Sequence, residues 1–270
     1  MILFPPSKLN LGLQIIAKRS DAYHDLQTVF YQFPLKDVLE ILIDESLSPG
    51  TCNFNSTGLP IPGGENLCEK AYYLLNKDYS LPGVKIHLHK IIPMGAGLGG
   101  GSSDAAYTLR LLNSLFDLKI SANKLMEYAL ELGSDCPLFI HDYPQYAVGR
   151  GELLEPIDLN LKGKYLVIVN PNIHISTKEA FSNIEPRSNM PCKEIVLQDI
   201  KEWKHTLVND FEKSVFPTYP ILAELKESLY KQGAQYAAMS GSGSTMFGIF
   251  NEKPEIESFP AEYFVWETIL

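Results

Sequence analysis

Between residues 93 and 106 the chain runs PMGAGLGGGSSDAA, with five glycines in the seven positions 95–101. Glycine loses more backbone freedom on folding than any other residue, so a run this dense is hard to order. Such a run suits a place where something approaches the backbone too closely for side chains. The segment before it, GVKIHLHKI (83–91), alternates apolar with polar residues, as a half-buried strand does. The segment after it, SSDAAYTLRLLNSLFDL (102–118), has helical spacing. N–H groups at a helix start lack intrahelical partners, and the helix dipole places partial positive charge there. Strand, glycine loop and helix together predict a cradle for a phosphate, with Ser102 or Ser103 as the helix N-cap.

Other readings of the run compete. GxGxxG occurs as Gly95, Gly97 and Gly100, but a dinucleotide site needs a βαβ unit that opens with the motif. Here the motif starts at residue 95 and is followed by two helical segments, 102–118 and 121–133. The P-loop pattern is absent, because no lysine follows the glycines. A flexible loop without a ligand is the remaining alternative, and the regular elements on both sides argue against it.

Elsewhere KDVLEILID (36–44) and KYLVIVNP (164–171) predict strands, and YAAMSG with STMFGIF (236–250) predicts a strand pair. Helical spacing covers 66–77, 121–133 and 220–234; Ser121 and Gly133 are the cap and stop of the second, and a proline opens the third. This mixed order predicts α+β layers. The polar stretch 185–194 predicts a loop. A chain of 270 residues lies near the size at which single cores divide, roughly 250 residues, and a boundary is expected near 150–165.

Charge and cysteines narrow the function. A net charge of -9 opposes nucleic acid as a partner, though not a small phosphorylated ligand in a local pocket. The four cysteines form no CxxC pair, which argues against structural zinc and for a reducing compartment. The start lacks a basic leader, and no stretch of about 18 apolar residues occurs, so a cytoplasmic location without a membrane span is expected. His87 and His89 point to one face of a strand without an evident third metal ligand, and solvated strand residues are the simpler reading. Tyr72, Tyr73 and Cys136 are read as core.

The glycine segment closely resembles the ATP-binding motif of the GHMP kinases, the superfamily of galactokinase, homoserine kinase and mevalonate kinase. Five further segments resemble the family in the right order: PSKLNLGLQI (6–15), KRSDAYHDLQTVF (18–30), GSDCPLF (133–139), NPNIHISTKEAF (170–181) and SGSGSTMFGIF (240–250). Ala22 stands where the family commonly has glycine. By themselves Lys8, the Tyr23–His24 pair and Asp135 could equally be a charge, a surface turn and a turn residue.

The resemblance implies a two-domain fold, with an N-terminal ribosomal protein S5 domain 2-like part (1–155), a C-terminal ferredoxin-like α/β sandwich (156–270) and an active site in the cleft between them. It implies that Pro93, Met94, Gly95, Ala96, Gly97, Leu98, Gly99, Gly100 and Gly101 hold ATP, with Asn66 and Lys90 near its base and phosphates. Ser102 and Ser103 are the implied Mg²⁺ ligands. Asp135 is the implied proton acceptor, with Lys8 offsetting negative charge on the transferred group. Asn10, Tyr23, His24, Thr177 and Phe181 are the implied substrate residues. The triple glycine followed by two serines is most similar to members acting on diphosphocytidyl methylerythritol, in the non-mevalonate route to isoprenoid precursors. The rivals are a GHMP kinase for mevalonate, homoserine or a sugar, and an inactive nucleotide-binding regulator. A monomer or homodimer without nucleic-acid or membrane partners is expected.

Overall fold

The structure is a computed structural model that describes every residue except Ala22, Pro62, Glu65, Asn183, Glu185, 187–189 and Glu257. Ala22 and most of the start of the 185–194 stretch therefore lie outside the described residues. The first strands are β1 (Ile2–Leu3), β2 (Pro6–Lys18), β3 (His24–Lys36), β4 (Val38–Ile43), β5 (Cys52–Gly58) and β6 (Val84–Lys90). The remainder are β7 (Gln145–Val148), β8 (Leu153–Pro156), β9 (Tyr165–Asn170), β10 (Tyr236–Met239), β11 (Met246–Phe250) and β12 (Phe264–Ile269). The helices are α1 (Leu67–Tyr79), α2 (Gly100–Leu115), α3 (Ala122–Leu132), α4 (Thr177–Ala180), α5 (Cys192–Ile195), α6 (Ile200–Thr206), α7 (Phe211–Val215) and α8 (Pro220–Lys231). A 3-10 turn spans Cys136–Ile140. No helix among the described residues is long and apolar enough to cross a membrane.

The chain forms two compact units, each assembled from separate stretches. The first holds Met1–Ser7, Leu35–Met94 and Gly99–Asp142; the second holds Lys8–Pro34, Gly95–Leu98 and Tyr143–Leu270. In the first unit a sheet of order β1-β4-β6-β5 carries α1, α2 and α3. β4 and β6 pair antiparallel with Leu39 opposite Leu88 and Ile41 opposite Ile86, and all four are buried. Alternation sends the intervening His87 and His89 to the other face. There Thr57 Oγ1 lies 3.0 Å from His87 Nε2 and 2.9 Å from His89 Nδ1. The histidines are thus satisfied by the neighbouring strand, and among the described residues no three His, Cys, Asp or Glu side chains could hold a metal.

Helix ends follow local chemistry. Asn66 and Glu69 form a capping box on α1, with Asn66 Oδ1 accepting from Cys68 N at 2.8 Å and Asn66 N donating to Glu69 Oε2 at 3.1 Å. Ser121 caps α3 and Gly133 ends it, as expected from the sequence.

The second unit has two sheets, of order β2-β3-β7-β8 and β10-β11-β9-β12, the latter antiparallel throughout. Leu13 and Ile15 of β2 join Val167, Val169, Met239, Met246 and the α8 leucines Leu222, Leu225 and Leu229 in one core. Burying each such side chain contributes about 1.5–3 kcal/mol. Residues 185–194 do not remain loop to their end, because Cys192 and Ile195 are buried and start a helical turn, α5. The Tyr23–His24 pair is not wholly a surface turn either, since β3 begins at His24.

Candidate active site

The glycine loop is divided between the units, with Gly95–Leu98 in the second and Gly99 onward in the first, and its glycines differ in what requires them. Gly99 is the N-cap of α2, in left-handed backbone at φ 71°, and no side chain caps the helix. Ser102 and Ser103 therefore lie inside the first turns and are not its cap. The glycines let the helix start two residues earlier than expected and leave its first N–H groups without a side-chain acceptor. Gly97 is required by packing: a Cβ there would come 2.0 Å from the Ser240 carbonyl oxygen, at φ +76°. A Cβ at Gly100 would lie 2.9 Å from both Lys90 Nζ and Ile92 Cγ2. At Gly101 the nearest atom among the described residues is Leu67 Cδ1 at 3.9 Å, so none of them demands glycine there.

The two serines differ. The Ser102 hydroxyl bonds the buried Cys136 thiol, which burial pushes up to about 12. Ser103 is fully buried, and its hydroxyl has no hydrogen-bond partner among the described residues. An oxygen in that position is short of a cation or a donor.

Below the loop, Lys90 is fully buried, with its ammonium bonded to Asp37 and, at 2.7 Å, to Asp104 Oδ2. Burial pushes the Asp104 carboxyl up to about 7, against the pull of Lys90. Burial opposes the Lys90 charge, but Asp104 and Asp37 together hold the ammonium above its usual range. Lys90 and Asn66, which the resemblance places near the nucleotide, also serve the protein itself, as a buried ion-pair partner and a helix cap. Both are joined to the elements that frame the loop.

In the second unit β2 carries Lys8 and Asn10, both buried. Lys8 Nζ donates to Asn10 Oδ1 at 2.5 Å and lies 5.2 Å from the Phe30 ring centroid. Asn10 Nδ2 donates to Thr28 Oγ1 at 3.1 Å. Asn10 N donates to Ser240 Oγ at 3.4 Å, and that hydroxyl donates to the Gly97 carbonyl at 2.9 Å. The amide of Lys8 donates to the Leu98 carbonyl at 3.0 Å. Lys8, Asn10, the Gly95–Leu98 stretch and the second glycine turn are therefore one hydrogen-bonded assembly. Asn209, buried after α6, holds that turn by donating from Nδ2 to the carbonyls of Met239 (2.7 Å) and Gly241 (2.8 Å). Asp135, in the first unit, is half-buried at the head of the 3-10 turn that follows α3.

The expected substrate end also comes together in part. His24 stacks on Phe181, with ring centroids 4.7 Å apart and 15° between planes, and Phe181 meets Phe211 edge-on at 4.8 Å. Tyr23 is exposed, and the Arg150 guanidinium carbon sits 5.1 Å from its ring centroid. Thr177 is the exposed first residue of α4, which Ser176 caps through Glu179 N at 3.1 Å. Sequence reasoning singled out none of Thr28, Ser240, Arg150, Asn209, Asp37 and Asp104, although Thr28, Asp104 and Ser240 lie inside segments that resemble the family.

Comparison with known proteins identifies the family. Residues 66–143 match the GHMP kinases N terminal domain, and residues 192–263 match the GHMP kinases C terminal model. A Bacteroides fragilis protein named 4-diphosphocytidyl-2-C-methyl-D-erythritol kinase is 50% identical over 267 residues, covering 97% of this chain and 96% of its own. A Cytophaga hutchinsonii protein of the same name is 50% identical, covering 94% of each chain. A crystal structure of a 4-(cytidine 5'-diphospho)-2C-methyl-D-erythritol kinase superposes with TM-score 0.80 at 33% identity, over 92% of this chain and 90% of that one. Methanococcus jannaschii mevalonate kinase shares the fold, with TM-score 0.70 at 15% identity over 93% of this chain and 90% of that one. The chain belongs to the GHMP kinases and, within them, to the 4-diphosphocytidyl-2-C-methyl-D-erythritol kinase family.

Proposed function

We propose that the chain transfers the γ-phosphoryl group of ATP to the 2-hydroxyl of 4-diphosphocytidyl-2-C-methyl-D-erythritol. The observation that carries the reading is the start of α2, which has no side-chain cap, room for a Cβ at Gly101 with only ordinary contact to Leu67, and a buried Ser103 hydroxyl without a partner among the described residues. Phosphoryl transfer needs little covalent chemistry from the protein; positioning and charge stabilisation dominate. The N–H groups from Gly99 onward hold the β- and γ-phosphates. Asp135 takes the proton of the attacking hydroxyl, and ADP leaves with the electrons of the cleaved P–O bond. A placed general base contributes roughly 10²–10⁴ in rate. Lys8 offsets charge on the transferring group, and Asn10, fixed between Lys8 and Thr28, orients the alcohol. Tyr23, His24 and Phe181 face the cytosine, and Thr177 lies beside Phe181 in the same segment.

A magnesium ion fits the residues present. Mg²⁺ takes oxygen ligands and keeps several waters, relying on one or two protein oxygens plus nucleotide phosphates. The partnerless Ser103 hydroxyl supplies such an oxygen, with Ser102 beside it. When bound, the ion supplies charge neutralisation at the phosphate oxygens.

The test is ADP release from ATP and Mg²⁺ with the diphosphocytidyl substrate, run beside mevalonate, homoserine and galactose. Turnover with the cytidyl substrate alone, lost in Asp135→Asn with ATP binding retained, is the expected result. Turnover only with another alcohol would overturn the substrate, and ATP binding without any turnover would favour a regulator.

A further inference from the structure

The buried ion cluster of the first unit is the most demanding feature that the chemistry above leaves unused. Lys90 and Asp37 side chains are fully buried and Asp104 nearly so. Removing such ions from water costs several kcal/mol each, and apolar residues of similar volume often stabilise a fold as well or better. Stability alone is thus a weak reason for this cluster. Its geometry supplies another. Asp37 sits between β3 and β4, and its Oδ1 accepts from Ile91 N at 2.6 Å and Ile92 N at 2.9 Å. Those residues are the last two before Pro93. The other Asp37 oxygen takes the Lys90 ammonium, which also donates to Asp104 in the second turn of α2. Gly100 lies directly against the same ammonium, since its Cβ would stand 2.9 Å from Nζ. The entry to the glycine loop and its exit helix therefore rest on one shared charge.

We infer that Lys90, Asp37 and Asp104 are positioning residues: they fix the two ends of the glycine loop against each other and so preorganise the N–H groups at the start of α2 for a triphosphate. The inference rests on the reading of that loop as the phosphate cradle. Donors already aimed at a ligand spend no binding energy on ordering when it arrives. A loosened loop keeps its residues but loses part of that advantage. The effect falls on nucleotide affinity and leaves the other substrate untouched.

The experiment measures three quantities on the full chain: the ATP dissociation constant with Mg²⁺, that of the diphosphocytidyl substrate, and the melting temperature. The variants are Asp104→Asn, which keeps shape and an acceptor, and Lys90→Met/Asp37→Asn/Asp104→Leu, which removes all three charges together. We expect ATP binding to weaken roughly threefold in the first and about tenfold in the second, at constant affinity for the other substrate. Folded variants that bind ATP as the wild type does would overturn the inference, as would equal weakening toward both substrates. If the triple variant does not fold, Asp104→Asn alone decides. Wild-type protein that binds no ATP would refute the phosphate cradle itself, a different failure from normal ATP binding in every variant.

Discussion

Replacing Gly101 by alanine separates what the fold needs from what the ligand needs. Gly101 sits in the first turn of α2 with ordinary backbone, and an added Cβ would meet only Leu67 Cδ1, at 3.9 Å. Glycine in a helix is about 0.5–1 kcal/mol less favourable than alanine, largely through the entropy of the unfolded chain. Gly101→Ala should therefore stabilise the protein, raising its melting temperature by roughly 1–4 °C for a chain of this size. A phosphate held by the N–H groups of this turn must come within hydrogen-bond distance of the backbone, where the methyl group now stands. Losing one charge-assisted hydrogen bond is worth about 1.5–3 kcal/mol, or roughly 10- to 100-fold in ATP affinity. Calorimetry and ATP titration on one preparation read both effects. A more stable variant that binds ATP normally would show that no phosphate approaches Gly101. A less stable one would refute the local geometry.

Gly97→Ala should act oppositely, destabilising by about 1–3 kcal/mol through its left-handed backbone and the Ser240 carbonyl, and chemical denaturation will show it. Phe181→Ala should raise KM for the diphosphocytidyl substrate by roughly threefold to tenfold while KM for ATP holds, since stacking contributes about 0.5–1.5 kcal/mol beyond area burial. The Arg110 guanidinium, bonded to Asp142 at 2.7 and 2.9 Å, holds that carboxyl below its usual range. A lowered folded-state value means stability that is present above the unfolded value and lost as pH falls through the folded one. The melting-temperature gap between wild type and Asp142→Asn should therefore narrow as pH drops from 6 toward 3, and a constant gap would contradict the pair.

Several elements were legible because their causes are local. Ser121 and Gly133 bracket α3 through contacts within one turn, and alternation in 83–91 exposes β6 directly. The long strand β2 was not legible as one: its residues from Pro6 to Ile15 are buried on both faces, so no alternation marks it. Asn66 carries a local signal of the same kind: its Asn-x-x-Glu spacing is a capping signature, and the structure shows the capping box it predicts.

By itself the sequence determined that a strand, a glycine loop and a helix meet at residues 93–106, and that Lys8, Asp135 and the Tyr23–His24 pair stand in the order of one kinase family. Tertiary structure decided what the glycines of that loop pack against. Gly97 answers to Ser240, Gly100 to Lys90, and Gly101 to nothing closer than Leu67 among the described residues. Lys90 is held by Asp37 and Asp104, 53 and 14 positions away, and Gly97 is held by Ser240, 143 positions away. Backbone preference and helix capping depend on neighbours within a turn, so sequence carries them. Charge pairing and backbone-to-backbone packing depend on which distant segments fold together, and only the folded chain brings those into contact.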